Sequence, residues 1–220
     1  MERVPEPELM DDAAQALAYA GGDFAEPHER FVSLFRETFP AWHRGTVLDL
    51  GCGPADVTLR FARAYPDAVV HGVDGAPAML RLGEAAVTAA GCAAQVRLVA
   101  GYLPGAVLPA ARYDAVISNS LLHHLADPAV LWRTIAAHAT PGAPIFVMDL
   151  QRPATPGEVD ALVAHYAAGE PGLLRRDFQH SLCAAYRPEE VAAQLRAAGL
   201  DRLVVRTISD RHLLVSGVMP

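Results

Sequence analysis

Apolar residues along this chain keep two rhythms that alternate from residue 46 onward. Short, near-continuous apolar runs at 46–51, 68–74, 96–101, 113–118 and 144–150 read as strands buried on both faces. Between them, residues 55–65, 76–90 (stopped by Gly91) and 128–139 carry apolar positions at helical spacing. Such alternation implies right-handed crossovers and a parallel, doubly wound sheet covered by helices. Ahead of it, residues 8–39 read as two helices; Asp23 can cap the second, in which Phe31, Leu34, Phe35 and Phe39 recur at helical spacing. The rhythm breaks after Asp149, and residues 151–185 show no strand signal, reading instead as an inserted helical lid. Pro188 then opens a helix ending at Gly199, and alternating strands at 202–209 and 212–218 form a terminal hairpin about Asp210. The expected organisation is one α/β domain: a helical cap (1–44), a sheet core (45–150), a lid (151–185) and a C-terminal helix and hairpin (186–220).

The ends of the first two strands carry the chemistry. Val47-Leu48-Asp49-Leu50-Gly51-Cys52-Gly53-Pro54 reads as a strand breaking into a tight glycine turn and then a helix. His71-Gly72-Val73-Asp74-Gly75 reads as a second strand with a carboxylate at its carboxyl end. Glycines there let a ligand lie against bare backbone N–H groups, and the acid can accept both hydroxyls of a ribose. A nucleoside-binding crevice follows, and two features argue against phosphate-bearing nucleosides. The third glycine of a Gly-x-Gly-x-x-Gly fingerprint is replaced by Asp56, an anion where the pyrophosphate would sit. The chain holds no lysine, so neither a Walker-type loop nor a Tyr-x-x-x-Lys pair is possible. A nucleoside without phosphates and with a positive centre remains, a description that S-adenosylmethionine fits.

Leu48-Asp49-Leu50-Gly51-Cys52-Gly53-Pro54, Val73-Asp74-Gly75 and Tyr113-Asp114-Ala115-Val116-Ile117-Ser118-Asn119 together resemble the ordered motifs of class I S-adenosylmethionine-dependent methyltransferases. The following Leu121-Leu122-His123-His124-Leu125 looks like the small-molecule enzymes related to the quinone C-methyltransferases. The likeness covers about residues 45–150. It implies a Rossmann-like mixed sheet with an antiparallel terminal hairpin, and methyl transfer to a small-molecule acceptor by in-line displacement. It also implies that Gly51 and Gly53 approach the methionine part, Asp74 the ribose, Met79 the adenine and Asn119 the reactive methyl. Asp49, Cys52, Gly75 and Gly101 belong to the same donor-binding set, and Tyr19 and Phe24 close over the methionine end. Tyr102 stands where the family has an acid or amide on the adenine amine, so it stacks on the base or bonds it differently. Two other readings stay open: non-methyl-transfer chemistry on the same ligand, and a non-catalytic binding module.

His123 and His124 fall closest to the methyl and are the candidate catalytic bases; as neighbours they point apart, so at most one faces the pocket. As a metal pair they are poor, because adjacent histidines seldom ligate one ion and the surrounding sequence offers no acidic cluster, and no metal is expected. Arg152, leaving a central strand, could grip an acceptor carboxylate, or else pair with Glu158 or Asp160 at the surface. On the lid, Tyr166, Arg175 and His180 are the candidate acceptor contacts. Cys52 fills a position that needs a small residue and is no catalytic thiol, and His212 is expected at the surface. A net charge of −7 with no run of arginines argues against a nucleic-acid partner. The amino terminus lacks a secretory core, and no apolar run approaches the ~20 residues of a membrane span. The expectation is a cytoplasmic protein, monomer or homodimer, acting on a small molecule.

Overall fold

The computed structural model describes residues 1–7 and 9–220. Seven strands form one sheet: β1 (Gly45–Leu50), β2 (Ala68–Asp74), β3 (Val96–Ala100), β4 (Ala115–Asn119), β5 (Pro144–Leu150), β6 (Val204–Thr207) and β7 (His212–Val218), in the order β3-β2-β1-β4-β5-β7-β6. The first five run parallel, while β7 lies antiparallel to both β5 and β6. The fold is the doubly wound mixed sheet with a terminal hairpin. Strand order reverses between β1 and β4, so the connections leave in opposite directions and a crevice opens at the carboxyl ends. Register carries the glycine turn to the carboxylate, since Leu50 pairs with Val73 and both chains leave the sheet side by side.

Among the described residues, eight α-helices surround the sheet: α1 (Ala13–Gly21), α2 (Ala25–Thr38), α3 (Asp56–Ala64), α4 (Pro77–Ala89), α5 (Ala129–His138), α6 (Pro156–Tyr166), α7 (Gly172–Ala184) and α8 (Pro188–Ala197). Asp23 accepts the Ala25 N–H at 3.2 Å but stands one residue ahead of the cap itself, which is Phe24. On one sheet face, Phe35 meets Phe61 and Phe146 edge-on, with ring centroids 4.8 and 5.5 Å apart. That is the packing an aromatic quadrupole favours. Trp132, Leu131 and Ile135 of α5 fill the other face, and the Trp132 indole N–H finds Gln194 Oε1 at 3.0 Å. All seven residues of β5 are buried, as its unbroken apolar run demands.

Residues 1–7, polar and without periodicity, are nonetheless tied down. The Val4 N–H donates to the Cys183 carbonyl at 3.0 Å, and the Arg3 guanidinium donates to the carbonyls of His123 (2.8 Å) and Leu125 (3.2 Å). Arg3 also lies over the Tyr186 ring, 4.1 Å from its centroid. This strap joins the end of α7 to the loop after β4. Among the described residues no helix is long and apolar enough to cross a membrane.

Candidate active site

A cavity of about 750 Å³ occupies the crevice, roofed by α1, α2 and α7. Its floor is the turn after β1, where Gly51 and Gly53 take left-handed φ values of +73° and +51°. A Cβ on Gly51 would stand 2.8 Å from Leu121, so any other residue collides there. A Cβ on Gly53 would project into open space, leaving bare backbone beside room for a ligand. Asp74 faces this floor. Its Oδ2 accepts the Gly53 N–H at 2.8 Å and its Oδ1 the Ala76 N–H at 2.8 Å, which fixes the carboxylate and leaves lone pairs on both oxygens. Burial raises its pKa against the pull of those backbone bonds. Asp49 lies beneath the turn, takes the Thr58 hydroxyl at 2.6 Å, and is pushed up to about 7 by burial. Cys52 is buried and burial drives its thiol well up, which makes it inert as a nucleophile. Met79 (3 % exposed) closes the far side from α4, and Gly75, Gly101 and the exposed Tyr102 line the adjoining wall.

The cavity's two guanidiniums are already engaged. Arg60 pairs with Asp56 (3.0 Å) and Glu29 (2.8 Å), while Arg211 lies over the Tyr166 ring at 3.3 Å with Asp210 and Glu26 within 3.7 Å. Asp56 also meets His28 Nδ1 at 2.5 Å, and that hydrogen bond holds its carboxyl down at about 2. Bare backbone, a fixed carboxylate, further acids and, among the described residues, no free cation suit a phosphate-free nucleoside with a positive centre.

The opposite end is assembled differently. Asn119 ends β4; its Oδ1 is buried without a partner, and Ser120 beside it takes a φ of +57°. Tyr19 stacks on Phe24 with centroids 4.8 Å apart, and burial pushes its hydroxyl up to about 12. His123, 3 % exposed, donates from Nδ1 to Asp149 Oδ1 at 2.5 Å, and Asp149 Oδ2 takes the Leu122 N–H at 2.7 Å. Burial opposes a charge on the His123 ring, but Asp149 and then Glu6 outweigh it and its pKa rises. His124 goes the other way: burial, followed by repulsion from His123, lowers it to about 3. Glu6, from the strap, points its Oε1 between them, 3.5 Å from His123 Nε2 and 3.4 Å from His124 Nδ1. Lying 117 residues away in a segment without periodicity, Glu6 gives no sequence signal of this meeting.

Asp49, Gly51, Cys52, Gly53, Asp74, Gly75, Met79, Gly101, Tyr102, Asn119, Tyr19, His123, His124 and Tyr166 all line this one cavity, so both histidines, rather than at most one, face it; their rings lie 4.2 Å apart rather than pointing away from each other. Three candidates do not. Arg152 is turned away and buried, donating to the Ala185 carbonyl (2.8 Å) and Glu190 (2.6 Å); its ion-pair partner is neither Glu158 nor Asp160. Arg175 and His180 are exposed on α7, because that helix turns Leu174, Asp177, Phe178 and Ser181 inward and the intervening positions outward. His212 corrects a further expectation. It lies in the cavity wall rather than at the surface, since antiparallel pairing sets the start of β7 against the end of β5, Leu150 opposite His212. Burial lowers its pKa to about 4.

A family model described as "Methyltransferase domain" matches residues 47–142. A ubiquinone biosynthesis O-methyltransferase of Bordetella parapertussis is 33 % identical over 175 residues, covering 77 % of this chain and 68 % of that one. A methyltransferase of Mycobacterium tuberculosis is 28 % identical over 151 residues, 69 % of this chain and 74 % of its own. Among solved structures, a SAM-dependent methyltransferase from Aquifex aeolicus superposes with a TM-score of 0.68 at 16 % identity, over 95 % of this chain and 99 % of that one, a likeness of fold. The matched residues 47–142 include the glycine turn, Asp74 and Asn119, and the chain belongs to the class I S-adenosylmethionine-dependent methyltransferases.

Proposed function

We propose that residues 1–220 act as one unit that methylates a small-molecule acceptor in the cytoplasm, with donor and acceptor meeting at Asn119. S-adenosylmethionine, when bound, supplies an electrophilic methyl on a sulfonium leaving group. The chain's own part is to hold both partners in line, and orientation of this kind can supply ~7–11 kcal/mol of a barrier. In this reading Gly51 and Gly53 bear the methionine part, Asp74 the ribose, and Met79 with Tyr102 the base. Tyr19 and Phe24 shield the methyl from water. His123 and His124 wall the acceptor side and govern its proton, and Tyr166 guards the lid. Because Arg152 and Arg175 stand outside the cavity, neither grips an acceptor carboxylate there.

The observation that carries this reading is the glycine floor facing a fixed Asp74 in a cavity without a free cation. The relatives' names add an acceptor class, since the Bordetella relative is named for ubiquinone biosynthesis. The test incubates the protein with methyl-labelled donor and a metabolite extract, and reads by mass spectrometry which compound gains the label. Label on a low-molecular-weight compound is expected. Donor binding without transfer would favour a non-catalytic module, and a donor consumed without methylated product would favour other chemistry.

A further inference from the structure

Glu6 Oε1 is the unusual atom at the acceptor wall. Its side chain is nine-tenths buried, with a relative exposure of 10 %, and this oxygen has no hydrogen-bond partner. A carboxylate oxygen left so is costly. It sits nearly equidistant from two imidazole nitrogens, at 3.5 and 3.4 Å, too far for good hydrogen bonds. Those lengths match another geometry. Around a tetrahedral ion with ligands at 2.0–2.1 Å, neighbouring ligand atoms stand about 3.4 Å apart. The three donor atoms all lie within 4.8 Å of one another.

The surroundings fit a metal as well. His123 donates its other ring N–H to Asp149 at 2.5 Å, the carboxylate–histidine arrangement that orients a ligand and leaves Nε2 free as a donor. Glu6 Oε2 is held by the Ser181 hydroxyl at 3.3 Å. His124 Nδ1 also has the Pro7 carbonyl at 3.4 Å, so ligation would move its proton to Nε2. Two histidines and one carboxylate leave a fourth position, as in catalytic rather than structural zinc sites, and both histidines face the cavity.

We propose that Glu6, His123 and His124 bind a single divalent cation of the zinc class, with its open position turned toward the acceptor. Binding itself stands on the three side chains alone; its service to methyl transfer rests on the function proposed above, in which a hydroxyl acceptor at the open position is polarised toward its deprotonated form.

The experiment strips the full-length protein with a chelator and titrates it with Zn²⁺ by calorimetry, and with Co²⁺ by visible absorption. One equivalent per chain is expected, with the intense d–d bands of a tetrahedral cobalt site. Glu6→Gln keeps the shape but removes a charged ligand and should weaken binding at least 10-fold; Asp149→Asn should weaken it 10- to 100-fold through the second shell. Folding of each variant is checked by its affinity for S-adenosylhomocysteine, which the donor end alone determines. No stoichiometric binding, or binding indifferent to Glu6→Gln, overturns the proposal. Failure of the homocysteine ligand to bind the native chain, with metal binding intact, would overturn the methyl-transfer reading and leave the metal site standing.

Discussion

The two ends of the cavity are built by opposite means. On the assignment proposed above, the donor end is local: residues 49–56 make one turn, and Asp74 arrives on the adjacent strand in register. Its contacts are backbone N–H groups and glycine conformations, which depend on few distant residues. The acceptor end is collected from the whole chain: Glu6 from the strap, Tyr19 from α1, His123 and Asp149 after β4 and in β5, Tyr166 from α6 and His212 from β7. A surface assembled from six places can change its chemistry without disturbing the donor floor. The split accounts for a donor site that ordered motifs announce and an acceptor site that they do not.

Four experiments press on this division, from the largest expected effect downward. His123→Ala should lower kcat by on the order of 10²-fold or more while leaving donor affinity within about twofold; equal loss of both would join ends held apart here. Asp74→Ala should do the reverse, weakening S-adenosylmethionine binding by about 2–3 kcal/mol, roughly 30- to 150-fold, through lost charge-assisted hydrogen bonds. Calorimetry reads it, and an unchanged Kd removes Asp74 from the ribose.

The third experiment concerns pH. His212 has a folded pKa lowered to about 4, by burial first and then by Arg211. The folded state therefore prefers it neutral, while the unfolded chain titrates near 6.5. Its contribution is fully present above pH ~6.5 and is lost as pH falls toward about 4, a change of a few kcal/mol at most. Urea unfolding at pH 7 and pH 4.5 should show the loss, and His212→Asn should flatten it; Arg211, Asp210, Asp149 and His28 are the charged or titratable neighbours that shape the slope. The smallest effect is expected at Arg175→Ala and His180→Ala. Both side chains are exposed and outside the cavity, so kcat and KM should stay within about twofold of the native enzyme in an assay of the labelled product.

The periodic elements were legible because their cause is local. Strands 68–74, 144–150 and 212–218 fall on β2, β5 and β7 as read, since burial on both faces writes itself into consecutive residues. The glycine turn was legible because left-handed φ at Gly51 and Gly53 constrains residue type at those positions. Arg152 misled because leaving the carboxyl end of β5 does not fix its direction: buried carbonyls and Glu190 on the other side claim its donors. On α7 a helical period separates Arg175 and His180 from Asp177 and Ser181, but composition does not say which stripe faces in. Glu6 was invisible for a plainer reason. Neither spacing nor hydropathy records that a polar amino-terminal stretch will cross to a histidine pair 117 residues on.

The amino-terminal stretch has a corollary for the molecule's tolerance to change. One continuous piece of chain supplies Glu6 at the histidines and Tyr19 in the cavity wall, with α1 resting on both α4 and α7. A deletion of the segment ahead of α2 would therefore strip side chains from separate parts of the cavity at once.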